Sequence, residues 1–214
     1  MSIKHNAKQL LEETQGRTLV AATKYVGSDE MRELYDGGIR NFGENRVKDF
    51  LKKKEALDDL DGVVWHFIGH LQSKKAKQMI NAIDMLHSLD HASLLKEIQK
   101  RRENPLPCFV EVNISGESSK YGLDESELHA FCKKALKYDK INIVGLMGMA
   151  PYTDDEKPIK DSFMKLRQLR DDIRDHLIPT CTGLSMGMSN DYKIAMDVGA
   201  THLRIGSILF REEV

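Results

Sequence analysis

The chain contains little cysteine. Its 214 residues include three, Cys108, Cys132 and Cys181. Their number is odd, they stand far apart, and none lies at the spacing of a zinc-binding pair. This excludes a disulfide-stapled secreted domain and a structural zinc site, and it favours a reducing compartment. No basic residue stands close enough in the sequence to activate Cys181, so we expect it in the core.

The chain also lacks a long apolar run. No stretch approaches the roughly 18 apolar residues that a transmembrane helix needs. Residues 1–9, MSIKHNAKQ, are polar and do not contain the apolar segment of a signal peptide. We therefore expect a cytoplasmic protein that does not associate with membranes.

Neither sign of charge is in excess. The 32 Lys and Arg residues are balanced by 33 Asp and Glu residues, which leaves a formal net charge of −1. Such a chain has no general attraction for nucleic acid or for an anionic membrane. Lysines cluster at residues 52–54 and 74–77, but both clusters fall in helical patterns without accompanying aromatic side chains. We interpret them as solvated helix faces and expect no nucleic-acid partner.

What the sequence does contain is a regular alternation of short apolar runs with amphipathic helical patterns. Its composition, 41% hydrophobic and 30% charged, is that of a globular protein. The apolar runs predict strands at residues 18–23, 39–42, 63–69, 85–89, 107–113, 141–149, 182–186 and 202–205. Among the intervening helices, a lysine-rich one is expected to end at Asn81 and another to cover residues 124–138. Residues 115–122 are interpreted as a polar loop.

Strict alternation with short connections predicts right-handed crossovers and a parallel sheet. Eight such units favour a closed (β/α)8 barrel of the TIM type over an open doubly wound sheet. The chain has no room for a full helix after the eighth strand. We therefore expect the helix predicted over residues 3–14 to cover that gap as an extra N-terminal helix. The predicted fold class is α/β, with one domain spanning residues 1–214.

The first strand ends on a lysine. Residues 18–24, TLVAATK, form a buried-strand pattern that stops at Lys24. A lysine in this position needs a reason, because lysines are rarely buried without a partner. Its ammonium group could reach solvent past the strand end. Alternatively, its amine could be a Schiff-base nucleophile that its surroundings keep neutral. The stretch by itself favours the first explanation.

Several polar residues share the position of Lys24 in the predicted barrel. The active site of such a barrel lies at the carboxyl ends of its strands. Residues expected there are Lys24, Asn45, His70, Asn113, Met149, Ser185 and Arg204. Every barrel has polar loops, so this clustering alone does not identify a site.

The loops after the last two predicted strands combine glycine with serine. Loops at these places commonly hold phosphate through backbone N–H groups at helix starts. Gly187 and Gly206 would let the backbone approach an anion closely, and Ser189 and Ser207 would add hydroxyl donors. Ordinary turns with serine N-caps would explain the same residues. The two loops by themselves leave both interpretations open.

Arg204 indicates which chemistry such a site would support. A lysine aldimine near a phosphate site suggests pyridoxal phosphate. Arg204, just before the second loop, could lie against the pyridine nitrogen. A guanidinium group only donates hydrogen bonds, so it would keep that nitrogen unprotonated and weaken the ring as an electron sink. The arginine favours a racemase-like or non-catalytic site over a transaminase.

Other chemically active residue types receive structural interpretations. Four histidines follow the third and fourth strands without metal-ligand spacing, and separate capping or pocket roles are expected for them: His66, His70, His87 and His91. Four methionines are expected to pack the barrel mouth: Met147, Met149, Met186 and Met188. Glu111 lies midway along a strand, and a buried carboxylate there needs a partner that the sequence does not identify. No metal site is predicted.

Short stretches along the chain carry a family resemblance. In order they are residues 21–26 (AATKYV), 41–45 (NFGEN), 65–73 (WHFIGHLQS), 87–90 (HSLD), 112–113 (VN), 145–147 (GLM), 149–151 (MAP), 184–189 (LSMGMS) and 204–206 (RIG). Together they resemble the pyridoxal phosphate homeostasis proteins, the YggS/PROSC family, over nearly the whole chain. The resemblance implies a barrel related to the N-terminal domain of alanine racemase, which is fold type III among pyridoxal phosphate proteins.

The resemblance also implies roles for individual residues. Lys24 would carry the cofactor, pyridoxal 5'-phosphate, as an internal aldimine, and Arg204 would face the pyridine nitrogen. The phosphate would be held by Ser189, Gly206 and Ser207, with Asn45 and Met149 near the ring. The implied function is buffering or delivery of the cofactor in vitamin B6 homeostasis without enzymatic turnover; the alternative is an amino-acid racemase. A monomer is expected, with cofactor-dependent client enzymes as partners that the sequence does not identify.

Overall fold

The computed structural model describes residues 2–116 and 121–211. Its strands are β1 (Thr18–Ala22), β2 (Asn41–Glu44), β3 (Val64–Phe67), β4 (Met85–Leu89), β5 (Leu106–Glu111), β6 (Ile141–Met147), β7 (Gly183–Ser185) and β8 (His202–Ile205). Its α-helices are α1 (Ile3–Glu13), α2 (Ser28–Asp36), α3 (Val47–Ala56), α4 (Ser73–Ala76), α5 (Ala92–Arg101), α6 (Leu128–Ala135), α7 (Glu156–His176) and α8 (Tyr192–Val198). Short 3-10 helices, Glu125–Glu127 and Ser207–Leu209, precede α6 and follow β8.

The strands form one closed parallel barrel in sequence order. Closure is made by β8 pairing with β1, where Leu19 is in register with Leu203 and Ala21 with Ile205. Leu19, Val20 and Ala21 are all buried, as expected for a parallel strand covered on both faces. The predicted (β/α)8 architecture is confirmed. Within the described residues, no helix combines the length and apolar character needed to cross a membrane.

Helix α1 lies where the sequence analysis expected it. The Nδ2 group of Asn6 donates hydrogen bonds to the carbonyl oxygens of Leu209 at 3.2 Å and Arg211 at 3.0 Å. On the same helix, the carboxylate of Glu13 accepts a hydrogen bond of 2.9 Å from the hydroxyl of Tyr192. The N-terminal helix therefore packs over the region after β8, where the chain has no α-helix of its own among the described residues.

Several predicted element boundaries differ in the structure, by two residues for β2 and β6 and by more for the lysine-rich helix. The lysine-rich helix ends at Ala76 and not at Asn81. It continues as i to i+3 turns, with the N–H of Gln78 bonded to the carbonyl of Lys75 and that of Met79 to the carbonyl of Ala76, both at 3.1 Å. Lysine composition favours a helix, but this tighter turn accompanies burial of the adjacent Met79 and Ile80 before β4.

Another boundary that differs is the end of β5, which was predicted to reach Asn113. The strand ends at Glu111 because the backbone then turns toward the following loop. The N–H of Asn113 donates to the carbonyl of Leu123 at 2.9 Å, and so leaves the barrel ladder. The predicted helix over 124–138 begins as a 3-10 turn, and its α-helical part is Leu128–Ala135. Residues 117–120 of the predicted polar loop lie outside the described residues.

Candidate functional site

A cavity of about 310 Å³ opens at the carboxyl ends of the strands. All seven residues that the sequence analysis assigned to a cofactor line it: Lys24, Asn45, Met149, Ser189, Arg204, Gly206 and Ser207. They come from β8 and from the loops after β1, β2, β6, β7 and β8, so only barrel closure brings them together. The volume is at the lower end of the roughly 300–1,000 Å³ typical of small-molecule pockets.

Lys24 stands at the mouth of this cavity. Its side chain is exposed, and its Nζ lies 4.5 Å from the centroid of the Tyr25 ring. The amine is therefore beside the cavity and open to solvent, not in the desolvating surroundings that one sequence hypothesis required. An exposed amine remains free to react with a ligand entering the cavity.

A buried ion pair holds the end of β1 behind Lys24. The Nζ of Lys53 lies 2.6 Å from Glu44 Oε1 and also donates to the carbonyl oxygen of Thr23 at 2.6 Å. The hydroxyl of Thr23 donates to the same Glu44 carboxylate. These contacts join α3, β2 and the residue before Lys24, and thereby set the point from which the lysine side chain leaves the barrel.

The ion pair yields a stability prediction. Replacing Lys53 with methionine leaves the fully buried Glu44 carboxylate without its cation, and removing one partner of a buried pair costs about 3–5 kcal/mol. Urea unfolding should show a loss of that size for Lys53→Met. The neighbouring Lys52 is exposed, so Lys52→Met is the matched control and should change the free energy of unfolding by less than about 0.5 kcal/mol. Equal losses in both variants would contradict the assigned role of the pair.

Arg204 forms the floor of the cavity. It is 5% exposed; its Nη1 donates to Ser185 Oγ at 2.7 Å and its Nη2 to the carbonyl of Gly148 at 3.1 Å. Burial lowers its pKa to about 10, while the carboxylates of Glu111 and Asp191 act in the opposite direction. The guanidinium therefore stays charged near neutral pH and presents a fixed hydrogen-bond donor to the cavity.

The structure shows the surroundings of Glu111, whose partner the sequence could not identify. It is buried inside the barrel, and burial raises its pKa to about 7. The charge of Asp90 raises that pKa further, whereas Arg204 lowers it. Burial therefore favours the neutral carboxyl, and the charge of Arg204 favours the ionised one.

The two glycine–serine loops lie side by side on one wall of the cavity. The N–H of Gly206 donates to Ser189 Oγ at 3.2 Å and so joins the loop after β8 to the loop after β7. Gly187 has a φ of +93°, and a Cβ there would come within 2.7 Å of the Ala195 side chain. Glycine is therefore required where the chain turns from β7 into α8. Ser207, the first residue of the 3-10 helix, lines the same cavity.

The donors around the cavity fit an anionic, phosphorylated ligand. An amine, a guanidinium group, two serine hydroxyls and a glycine backbone converge on one space. Within the described residues, Asn45 Oδ1 is a buried acceptor without a hydrogen-bond partner, which leaves it available to a ligand group. This set suits a molecule with a phosphate, an aromatic nitrogen and a group that reacts with an amine.

The sequence analysis expected separate roles for the four candidate histidines, but two of them are in contact. His66 and His87 lie within β3 and β4, and their Nδ1 and Nε2 atoms are 2.9 Å apart. The prediction failed because the pairing register of the neighbouring strands β3 and β4 cannot be read from the spacing of the two residues. His91 and His70 flank Asp90, at 2.6 Å and 3.7 Å. Across residues 2–116 and 121–211, no group of side chains suits a metal ion.

Of the remaining predictions, several concern residues around the site. Met149 and Met188 line the cavity, while Met147 and Met186 are buried. Cys181 is buried and free, and burial raises the pKa of its thiol to about 12, which agrees with a core residue. Ser185 lies buried beneath Arg204, and His70 and Asn113 do not line the cavity.

The sequence analysis missed part of the cavity wall. Tyr25, Ile68, Asn190 and Phe210 also line it. Tyr25 and Asn190 directly follow Lys24 and Ser189, so adjacency to assigned residues was the available signal. Ile68 and Phe210 carry no such signal, because an apolar side chain in a loop is equally typical of the core.

Comparison with known proteins places this geometry in a class. The profile described as "Alanine racemase, N-terminal domain" matches residues 1–213. Alanine racemase from Corynebacterium glutamicum shares the fold, with a TM-score of 0.80 at 16% identity over 99% of this chain and 61% of that one. The class is therefore the barrel of the alanine racemase N-terminal type.

Closer relatives define the family within that class. The pyridoxal phosphate homeostasis protein of Aquifex aeolicus is 41% identical over 91% of this chain and 86% of that protein. The protein of the same name from Schizosaccharomyces pombe is 34% identical over 94% and 87%. PipY of Synechococcus elongatus, solved with pyridoxal phosphate bound, has a TM-score of 0.89 at 29% identity over 98% and 100%. The chain belongs to the family of pyridoxal phosphate homeostasis proteins.

Proposed function

We propose that this protein binds pyridoxal 5'-phosphate covalently and reversibly at Lys24, and buffers or delivers it in vitamin B6 homeostasis without enzymatic turnover. The observation that carries the proposal is the convergence of all seven assigned residues on one cavity of about 310 Å³. The names of its relatives and the solved complex of PipY with pyridoxal phosphate support it.

Each residue would have a defined task. When bound, pyridoxal phosphate supplies an aldehyde that combines with amines and a ring that withdraws electrons from an attached carbon. The amine of Lys24 would bind the aldehyde, and the guanidinium of Arg204 would donate to the ring nitrogen.

The remaining assigned residues would hold the rest of the cofactor. The hydroxyls of Ser189 and Ser207 would bind the phosphate with the backbone of Gly206, and Asn45 and Met149 would lie against the ring. All of these groups line the same cavity as Lys24.

Two features favour a role in holding the cofactor over a role in catalysing a reaction with it. The always-charged guanidinium of Arg204 keeps a proton off the ring nitrogen, and this weakens the ring as an electron sink. Lys24 is exposed at the cavity mouth, so water is not excluded from the position where a reaction would occur. Solvent access instead suits entry and release of a cofactor. We further propose that the chain acts as one domain, as a cytoplasmic monomer, and that cofactor-dependent enzymes are its clients.

Borohydride reduction of the protein loaded with pyridoxal phosphate tests the attachment point. Reduction makes the bond to the amine permanent, and peptide mass mapping then locates it. We expect the pyridoxyl group on Lys24. An adduct on Lys52 or Lys53, which line the neighbouring groove with Lys24, would overturn the assignment.

The absence of turnover is tested on the same loaded protein. A racemase assay with a panel of amino acids is expected to give no rate above that of free pyridoxal phosphate. Racemisation that disappears in Lys24→Ala would favour the racemase alternative over the carrier.

A further inference from the structure

A chain of hydrogen-bonded side chains runs through the barrel interior from the cavity floor toward the opposite end. Arg204 Nη1 lies 2.7 Å from Ser185 Oγ, which lies 2.7 Å from His87 Nδ1. His87 Nε2 lies 2.9 Å from His66 Nδ1, and His66 Nε2 lies 2.9 Å from Asn41 Oδ1. The five residues come from β8, β7, β4, β3 and β2, and all except the half-buried Asn41 are buried.

The two ends of the chain set the direction of every hydrogen bond in it. Arg204 can only donate, and the Oδ1 atom of Asn41 can only accept. Asn41 Oδ1 accepts from His66 Nε2, so neutral His66 accepts at Nδ1 from His87 Nε2. Neutral His87 then accepts at Nδ1 the hydrogen of Ser185 Oγ, which itself accepts from Arg204. Both imidazoles are thereby held as the Nε2–H tautomer, and each bond runs away from Arg204.

The surroundings keep both imidazoles neutral. Burial lowers the pKa of His66 to about 3 and that of His87 well below its usual value. Arg204 and His202 face His87 and disfavour a further positive charge there. Protonation of His66 would also place an N–H group against the Nε2–H of His87. The direction of these hydrogen bonds is therefore maintained under all conditions in which the protein stays folded.

We propose that Ser185, His87, His66 and Asn41 are positioning residues, which hold Arg204 in the orientation that contacts the ring nitrogen of the cofactor. This inference rests on the proposed function, because it concerns the same site. Ser185 and the carbonyl of Gly148 take two of the five guanidinium N–H groups. The remaining N–H groups of Arg204 are thereby oriented by residues that would not themselves touch the cofactor.

A consequence is that Asn41, at the amino end of β2, acts on the cavity at the other end of the barrel. Without its oxygen, the Nε2–H group of His66 loses its acceptor. His66 regains a satisfied arrangement by moving its proton to Nδ1, and His87 must then do the same. Ser185 would then accept from both His87 and Arg204, and its own buried hydroxyl hydrogen would lose the acceptor that His87 Nδ1 supplies. The constraint on Arg204 weakens although no residue of the cavity has changed.

The test compares Asn41→Leu with Asn41→Asp in the full chain. Leucine has a similar size but no acceptor, whereas aspartate keeps an acceptor oxygen. After loading with pyridoxal phosphate, Asn41→Leu is expected to release the cofactor about tenfold faster, a ratio equal to roughly 1.4 kcal/mol, and to shift its absorbance maximum. Asn41→Asp should keep the release rate and spectrum of the unaltered protein. Equal effects of both variants, or no effect of leucine, would overturn the proposal.

A second measurement separates this inference from the proposed function and does not depend on either variant folding. Nitrogen NMR of the imidazole rings, on the unaltered protein without cofactor, should report neutral Nε2–H tautomers for His66 and His87. A charged ring or an Nδ1–H tautomer at either residue contradicts the proposed direction of the hydrogen bonds. This holds whether or not the protein binds pyridoxal phosphate. Failure of the unaltered protein to bind the cofactor, with both tautomers as stated, overturns the proposed function and leaves the direction of the hydrogen bonds intact.

Discussion

Lys24→Ala is expected to abolish covalent binding of pyridoxal phosphate and to weaken overall binding by at least about 100-fold, or roughly 2.7 kcal/mol. The phosphate and ring contacts remain in this variant, but the amine that forms the reversible bond is gone. The fold should be unaffected, because Lys24 is exposed and surface substitutions usually change stability by less than about 0.5 kcal/mol. Loss of binding with unchanged unfolding is therefore the expected combination.

The measurement is the absorbance of cofactor that remains with the protein after gel filtration. Lys52→Ala is the matched control, since Lys52 is also exposed and lines the groove beside Lys24. It should retain the cofactor spectrum of the unaltered protein. Retention of covalent cofactor by Lys24→Ala, or its loss from Lys52→Ala alone, would refute the assignment of Lys24.

The second large effect is acid destabilisation. Lowering the pH from 6.5 toward 4 is expected to reduce the free energy of unfolding by several kcal/mol. Burial lowers the pKa of His66 to about 3 and that of His202 to about 4, and the pKa of His87 lies well below its usual value. In the unfolded chain each histidine takes up a proton near pH 6.5, but in the fold these three do not. The unfolded state is therefore favoured increasingly as the pH falls.

Glu111 acts in the opposite sense in part of this range. Its pKa is raised to about 7 in the fold, so its protonation stabilises the folded state as the pH falls toward the unfolded value of 4.5. The three histidines outweigh it, because each shifted pKa unit is worth about 1.4 kcal/mol and their shifts together are larger.

Urea unfolding at several pH values between 8 and 4 measures this effect. His202→Leu should flatten the profile, because it removes one of the three protons that distinguish the two states. His5 is an exposed histidine on α1, and His5→Gln should leave the profile unchanged. A free energy of unfolding that stays constant from pH 6.5 to 4 would contradict the inferred burial of neutral imidazoles.

The sequence determined the architecture to a large extent. Alternating strand and helix patterns specify local structure, and eight such units with short connections have one compact parallel arrangement, the closed barrel. Strand ends then indicate which residues share the carboxyl rim. Chain order placed Lys24, Arg204 and the serine loops at that rim, the family resemblance assigned them to one site, and in the structure they line one cavity.

Contacts across the barrel were decided only by the tertiary structure. Nothing local relates His87 to Ser185, which are 98 positions apart, or His66 to His87, and the sequence analysis took the histidines as separate. Strand register and closure determine which interior side chains meet, and register depends on the packing of the whole barrel.

Lys24 shows the same division most clearly. Its place at the end of the first strand, and its likeness to a cofactor-binding lysine, are properties of the sequence. The tertiary structure alone shows that it is exposed at the cavity mouth, above the Glu44–Lys53 pair and opposite Arg204. The sequence by itself determined the barrel and the residues at its rim, because both follow from local periodicity and chain order. Only the tertiary structure decided which of those residues face one another, because burial and hydrogen bonding depend on neighbours that closure of the barrel supplies.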